Sequence, residues 1–132
     1  MLNVALSDFR VSAQIAVSDL ARARAFYEGA LGLSPAAGPS DLAVAYPCGG
    51  GSALHVYQSP AHAGKSTATI ARWDVDDIDR VVDELTARGV HFERYDEPVK
   101  TDARGIHDSG YGKVAWFKDP DGNLFAIELN PA

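Results

Sequence analysis

The segment Val17-Ser18-Asp19-Leu20-Ala21-Arg22-Ala23-Arg24-Ala25-Phe26-Tyr27 reads as the end of a strand turning directly into an amphipathic helix. Ser18 or Asp19 can accept hydrogen bonds from the helix's first free N–H groups, so either makes a good N-cap. Leu20, Ala23, Tyr27, Ala30 and Leu31 then fall on one helical face, at the spacing of a stripe that packs on a core. Gly32 follows, where a left-handed residue would stop the helix.

The same design returns in Val75-Asp76-Asp77-Ile78-Asp79-Arg80-Val81-Val82-Asp83-Glu84-Leu85. Asp77 is its cap, Ile78, Val81, Val82 and Leu85 its stripe, and Gly89 its stop. Val17 matches Val75, Asp19 matches Asp77, Leu20 matches Ile78 and Arg22 matches Arg80 at one constant offset. A repeat of this length predicts two similar supersecondary units, each too short to hold a core alone.

The 132 residues predict one domain with one core. A net charge of −6 argues against a nucleic-acid partner, because binding a phosphate backbone needs a basic surface. It mildly favours cationic or neutral ligands. The single cysteine, Cys48, excludes an intrachain disulfide framework and suits a reducing compartment. No apolar run reaches membrane-spanning length, and no basic region followed by an apolar core opens the chain. The expectation is a cytoplasmic protein with neither nucleic-acid nor membrane partners.

Residues 9–17 alternate, with Val11, Ala13, Ile15 and Val17 on one side and Ser12, Gln14 and Ala16 on the other, the period of a strand with one face on the core. Residues 34–40 read as a short strand or loop, 42–46 as a strand and 52–58 as its partner, with His55 and Tyr57 on one face. Gly49-Gly50-Gly51 lacks the Lys-Ser/Thr and following helix of a phosphate loop and reads as a turn. In the second unit, residues 67–75 form a strand with Ile70, Arg72 and Asp74 on one face and Ala71, Trp73 and Val75 on the other. Residues 90–95 read as a strand, 98–110 as a long polar loop without period, and 112–118 and 123–129 as the last two strands. Asp119-Pro120-Asp121-Gly122 is the turn between those two. The order is βαβββ twice, with module one at about residues 9–59 and module two at about 67–130 of a single domain, 1–132. Two such sheets can curl around a shared cavity lined by their first and last strands.

Together the paired units, Leu31-Gly32-Leu33, and Trp116-Phe117-Lys118-Asp119-Pro120-Asp121-Gly122-Asn123 resemble the vicinal oxygen chelate superfamily. That superfamily includes glyoxalase I, bleomycin-resistance proteins, fosfomycin-resistance enzymes and extradiol dioxygenases. The resemblance covers nearly the whole chain and implies an α+β fold of two βαβββ modules forming a curved mixed-sheet cavity, and a homodimer. It specifies function weakly, because the shared motifs are helix starts and turns. Metal-dependent members hold a divalent ion such as Zn, Ni, Mn or Fe, which acts as a Lewis acid on neighbouring substrate oxygens. The resemblance maps the ligand positions to Ser12, His55, Ile70 and Ala126, and of these only His55 can bind a metal. Gln14 and Glu128 point to the same face two residues further on. They could join His55 in a displaced site, but two residues along a strand span roughly 6–7 Å.

The expected cavity residues are Ser12, Gln14, His55, Tyr57, Ile70, Arg72, Tyr111, Trp116, Ala126 and Glu128. An inward Arg72 needs a partner, because an unpaired buried charge is costly; Glu128, Asp74 or a ligand carboxylate would serve. Glu128 is the one weak candidate for a general base. Tyr57, Trp116 and Tyr111 could stack on a planar or cationic ligand. His107 and Asp108 could close over a ligand from the long loop, though a solvated role is the blander reading. His62 and His91 carry no signal, and Cys48 has no activating neighbour in sequence. The leading expectation is a metal-free, small-molecule-binding homodimer that sequesters an antibiotic or other toxic compound, without cofactor. The alternatives are a metal-dependent glyoxalase-like lyase, isomerase or dioxygenase, and a structural dimer module with a vestigial cavity.

Overall fold

The computed structural model describes residues 4–130. Among these residues no helix is long and apolar enough to cross a membrane. Two mixed sheets form, one from each half of the chain. The first contains β1 (Ala13–Val17), β2 (Ala43–Pro47) and β3 (Ala53–Gln58) in the order β1-β3-β2. The second contains β4 (Thr69–Asp74), β5 (Ile106–Asp108), β6 (Lys113–Lys118) and β7 (Leu124–Leu129) in the order β4-β7-β6-β5. Each module places its first strand at an edge, parallel to its last strand, and pairs its other strands antiparallel. A parallel pair needs a long crossover, which in each module contains the helix.

Those helices start as their sequence demands. Asp19 accepts a hydrogen bond from the Arg22 N–H (3.1 Å), and Asp77 accepts one from the Arg80 N–H (3.2 Å). Asp19 is therefore the cap of α1 (Leu20–Arg24), and Asp77 that of α2 (Ile78–Ala87). Helix α1 continues as a wider π-helical turn over Ala25–Ala30, closed by a bond from Leu31 N–H to the Phe26 carbonyl (3.0 Å). Inside that turn the Tyr46 hydroxyl donates to Glu28 (2.9 Å), which also pairs with Arg24. The Arg24 hydrogen bonds hold the Glu28 carboxyl below the usual carboxylate range. Burial, followed by Glu28, pushes the Tyr46 phenol well above its ordinary value.

Three stretches differ from the sequence reading. The expected strand at residues 90–95 is reduced to a single bridge, Phe92 to Phe117. The chain turns away there because the Tyr95 N–H donates to the Thr101 hydroxyl (2.8 Å) rather than to a neighbouring strand. The stretch read as an aperiodic loop contains β5, which pairs with β6 through Ile106–Ala115, His107–Val114 and Asp108–Lys113. Three residues are too few to display a period. Module one has three strands rather than four. Residues 34–40 only touch β2, through Ala36 N–H to Ala45 and Ser40 N–H to Ala43, and Pro35 and Pro39 have no N–H to extend the ladder.

The helix-side faces of both sheets join in one core. Ile15, Val17, Leu20, Ala23, Tyr27, Val44, Tyr46, Leu54 and Val56 come from the first module, and Ile78, Val82, Val90, Phe92, Ala115, Phe117, Phe125 and Ile127 from the second. Phe117 stacks on Phe125 and Trp73, with ring centres 5.6 and 6.1 Å apart, and meets Phe92 edge-on at 5.8 Å.

A second tie between the modules is polar. Asp119, only 5% exposed, sits in the β6–β7 turn and accepts from the Tyr27 hydroxyl (2.7 Å), the Asp121 N–H (2.9 Å), the Asn123 N–H (2.9 Å) and the Asn123 amide (2.8 Å). Asp121 accepts from the Ser18 N–H (3.0 Å), the Ser18 hydroxyl and Arg22 (2.9 Å). Asn123 Nδ2 also donates to the Ala16 carbonyl (2.9 Å). The turn thus grips the β1–α1 corner, which is why Ser18 is not the cap.

The loop before β5 is fixed where it enters the strand. Arg104 bonds Asp79 (2.9 Å) and Asp83 (2.8 Å) on α2. Asp102 accepts from the Arg104 N–H (2.8 Å) and the Ile106 N–H (3.0 Å). The Ile106 bond, foremost among these contacts, lowers the Asp102 pKa. A carboxyl lowered in the folded state stabilises above its unfolded pKa and loses that contribution as pH falls through the folded value. Asp102→Asn should therefore cost on the order of 1 kcal/mol at pH 7, kept small by solvent screening, and the cost should vanish under acid conditions. Urea unfolding of both proteins between neutral and acid pH measures this; a cost independent of pH would contradict it.

Candidate functional site

The faces turned away from the helices carry the polar side chains, and strand register sets them in rows. On the first sheet Gln14, His55 and Ala45 stand side by side, with Ala16, Tyr57 and Ala43 in the next row. His55 and Tyr57 are half-buried and Gln14 is exposed. On the second sheet Arg72, Ala126 and Trp116 form one row, and Asp74, Glu128, Val114 and His107 the next. Paired residues share a face, so the expected cavity residues on these strands fall into rows on their own sheets.

Arg72 finds its partners within the chain. Its Nη1 donates to Glu128 Oε2 at 2.8 Å, and its Nε lies 3.3 Å from Asp74 Oδ1. The Arg72 side chain is 52% exposed, so this is a solvated pair rather than the buried charge the inward face implied. Ala126 is 3% exposed and stands between Arg72 and Trp116 in their row.

Ser12, Ile70 and Arg72 line one hollow of roughly 350 Å³ at the seam between β1 and β4. Cys48 also lines it, its Sγ 3.6 Å from the Tyr46 carbonyl. No sequence signal placed Cys48 there, because the glycine-rich turn that carries it has no period. Ala126 lines no part of that hollow. Tyr111, expected in the cavity, lies instead in the β5–β6 turn and is 83% exposed. His107 and Asp108 do not close over the face: the His107 Nδ1 meets the Lys100 carbonyl (2.7 Å) and Asp108 accepts from the Gly110 N–H (2.9 Å). His62 is tied to Ser59 (2.8 Å).

The donor set does not fit the divalent ion held by metal-dependent members of the family that the sequence resembles. Ser12, Ile70 and Ala126 offer neither imidazole nor carboxylate. Gln14 and His55 are neighbours on the first sheet, while Glu128 lies on the second with an oxygen already bonded to Arg72. Among the described residues no three His, Cys, Asp or Glu side chains gather to hold an ion. What the arrangement offers is hydrogen-bonding groups, an ion pair and aromatic rings, a surface suited to binding a partly apolar molecule.

A family model described as Glyoxalase/Bleomycin resistance protein/Dioxygenase superfamily matches residues 10–127. No curated protein matches the sequence. Among solved structures, a glyoxalase/bleomycin resistance protein from Catenulispora acidiphila DSM 44928 is 27% identical over 93% of this chain and 99% of its own, with a TM-score of 0.69. A glyoxalase/bleomycin resistance protein from Streptomyces sp. CB03234 is 25% identical over 93% of this chain and 100% of its own, with a TM-score of 0.65. An antibiotic binding protein from the same Streptomyces strain is 22% identical over 99% of this chain and 100% of its own, with a TM-score of 0.69, a likeness of fold alone.

Proposed function

This chain belongs to the Glyoxalase/Bleomycin resistance protein/Dioxygenase superfamily, and from that premise we propose that it is a metal-free, small-molecule-binding protein that sequesters a toxic compound such as an antibiotic. The observation that carries this reading is the composition of the helix-free faces. Gln14, His55, Tyr57, Arg72, Trp116 and Glu128 supply hydrogen bonds, charge and stacking surface, while Ser12, Ile70 and Ala126, the positions to which the resemblance maps metal ligands, offer neither imidazole nor carboxylate. Glu128 is bonded to Arg72 and is better suited to orienting a ligand's polar group than to abstracting a proton. Among the described residues no three His, Cys, Asp or Glu side chains gather in support of the metal-dependent lyase, isomerase or dioxygenase reading.

The active form in this reading is a cytoplasmic homodimer. Gln14 is exposed and Arg72 and Trp116 remain accessible in a single chain. A second copy would enclose these faces and bury the ligand to the extent that binding sites require. The single free thiol, Cys48, fits a reducing compartment.

A thermal-shift screen over cationic antibiotics, aldehydes and glutathione adducts tests the proposal. A ligand present at about a hundredfold its dissociation constant should stabilise the protein by about 2.7 kcal/mol, and Arg72→Ala should weaken that response. No stabilisation by any compound would count against it, as would stabilisation only by a divalent cation.

A further inference from the structure

The face described above ends in a corner that the repeat does not generate. Residues 95–101 form a loop closed at its base. The Tyr95 N–H donates to Thr101 Oγ1 (2.8 Å), and the Thr101 N–H (2.9 Å) and hydroxyl (3.3 Å) donate back to the Tyr95 carbonyl. The far side of the base is held as well, through the Lys100 carbonyl to His107 Nδ1 (2.7 Å). This double closure sets Tyr95 edge-on to Trp116, ring centres 5.5 Å apart at 77°. Beside the two rings lies a cavity of roughly 230 Å³, lined by Tyr95, Glu97, Pro98, Val99, Trp116 and Leu124. Five of these side chains are aromatic or aliphatic, and the one charge is the Glu97 carboxylate. Among the described residues Glu97 has no ion pair, whereas the nearby Glu93 is matched by Lys118 (3.3 Å).

We propose that Tyr95, Trp116 and Glu97 form a preformed corner for a compact organic cation, an ammonium group carrying small alkyl substituents. This rests on reading the same face as ligand-binding, and it names the chemical class of the group bound at that end. The chemistry follows from three features. Two ring systems meeting near a right angle present π-surface and edge around a volume that suits a small substituted ammonium. Such a cation is drawn to aromatic faces by their quadrupole, an attraction that persists at exposed sites. A single free carboxylate at the rim supplies the counter-charge. The closed loop base removes most of the ordering cost that a flexible loop would incur on binding. The register adds direction: Trp116 is two strands from Arg72 in the same row, with Ala126 between them. A ligand with a cationic end in the corner can therefore extend along that row and place an acceptor near Arg72.

The test uses choline and its neutral carbon isostere, 3,3-dimethylbutan-1-ol, read by tryptophan fluorescence at low ionic strength. The chain has two tryptophans, and Trp73 lies against the core on the other face, so Trp116→Leu leaves an internal reference. Choline is expected to change Trp116 emission saturably and to bind about tenfold tighter than the isostere, a difference of about 1.4 kcal/mol. Glu97→Gln, at an exposed position and so without consequence for folding, should bring the two probes to within about threefold of each other. Trp116→Leu removes the reporter, so choline is followed there by calorimetric titration, in which binding should be abolished. Equal affinity of the two probes, or choline binding that survives Trp116→Leu or is unchanged in Glu97→Gln, would overturn the assignment. If choline fails while a compound from the thermal screen binds, the corner is wrong and the binding reading stands. If choline binds and no screened compound stabilises the protein, the corner stands and sequestration fails.

Discussion

Replacing Asp119 by alanine is expected to destabilise the fold by about 3–5 kcal/mol, the largest effect of any polar substitution considered. The reason is the number of groups that depend on one buried carboxylate. The Tyr27 hydroxyl, two backbone N–H groups and the Asn123 amide all donate to it. Tyr27 is 0% exposed, so water cannot replace the lost acceptor without opening the core. Burial, reinforced by Asp119, pushes the Tyr27 phenol far above its ordinary pKa, which keeps it a donor at every physiological pH. Tyr27→Phe removes one of four donors and should cost only about 1 kcal/mol. Asp119→Asn retains an acceptor oxygen and should fall between the two. Urea unfolding measures all three; an Asp119→Ala cost no larger than that of Tyr27→Phe would show that the turn does not hold the modules together.

The second large effect is expected at Gly64. Its φ is +64°, and a Cβ there would overlap the carbonyl oxygen of Asp121. That oxygen belongs to backbone and cannot rotate away. Asp121 is also held by Ser18 and Arg22, and the Gly64 N–H donates to Asn123 (3.2 Å). Moving any of these loosens the others, so Gly64→Ala should cost about 3–4 kcal/mol. Gly122 is the control. It has a positive φ of +90°, but no atom beyond its chain neighbours lies within 4 Å of the point a Cβ would occupy. Gly122→Ala should therefore cost only the left-handed backbone penalty, about 1–2 kcal/mol. Similar losses for the two variants would mean that close approach, as distinct from backbone conformation, contributes nothing at residue 64.

Both predictions concern a turn whose role sequence reasoning reaches only in part. Asp119-Pro120-Asp121-Gly122 announces a chain reversal through its residue types, but nothing local says that Asp119 meets Tyr27 or that Asp121 meets Ser18. Those contacts join residues about a hundred positions apart and depend on how the modules dock. The second helix start is legible to the residue and the first to within one, because capping is a local contest for free N–H groups; Asp77 wins it alone, whereas Asp19 wins over Ser18 only because Ser18 is held by the distant Asp121. Strand faces are legible for the same reason: alternation alone puts Gln14 beside His55 and Arg72 beside Ala126 once register is fixed. β5 is hidden by its length, and the path of residues 90–95 by the side chain of Thr101, which captures the Tyr95 N–H. Of the site, the shared faces that make up the four rows are readable. The seam hollow with Cys48 and the Tyr95–Trp116 corner are not, since both arise where loops fold back on the sheets.

The proposed function depends on a face that binds organic molecules with its own side chains and holds no ion. Elemental analysis of protein purified without chelator, followed by calorimetric titration with Zn, Ni, Mn and Fe(II), tests this most directly. The expected result is metal content far below one ion per chain and no binding isotherm that changes between the wild type and His55→Ala. One tightly held ion per chain, lost in His55→Ala or Glu128→Ala, would contradict it.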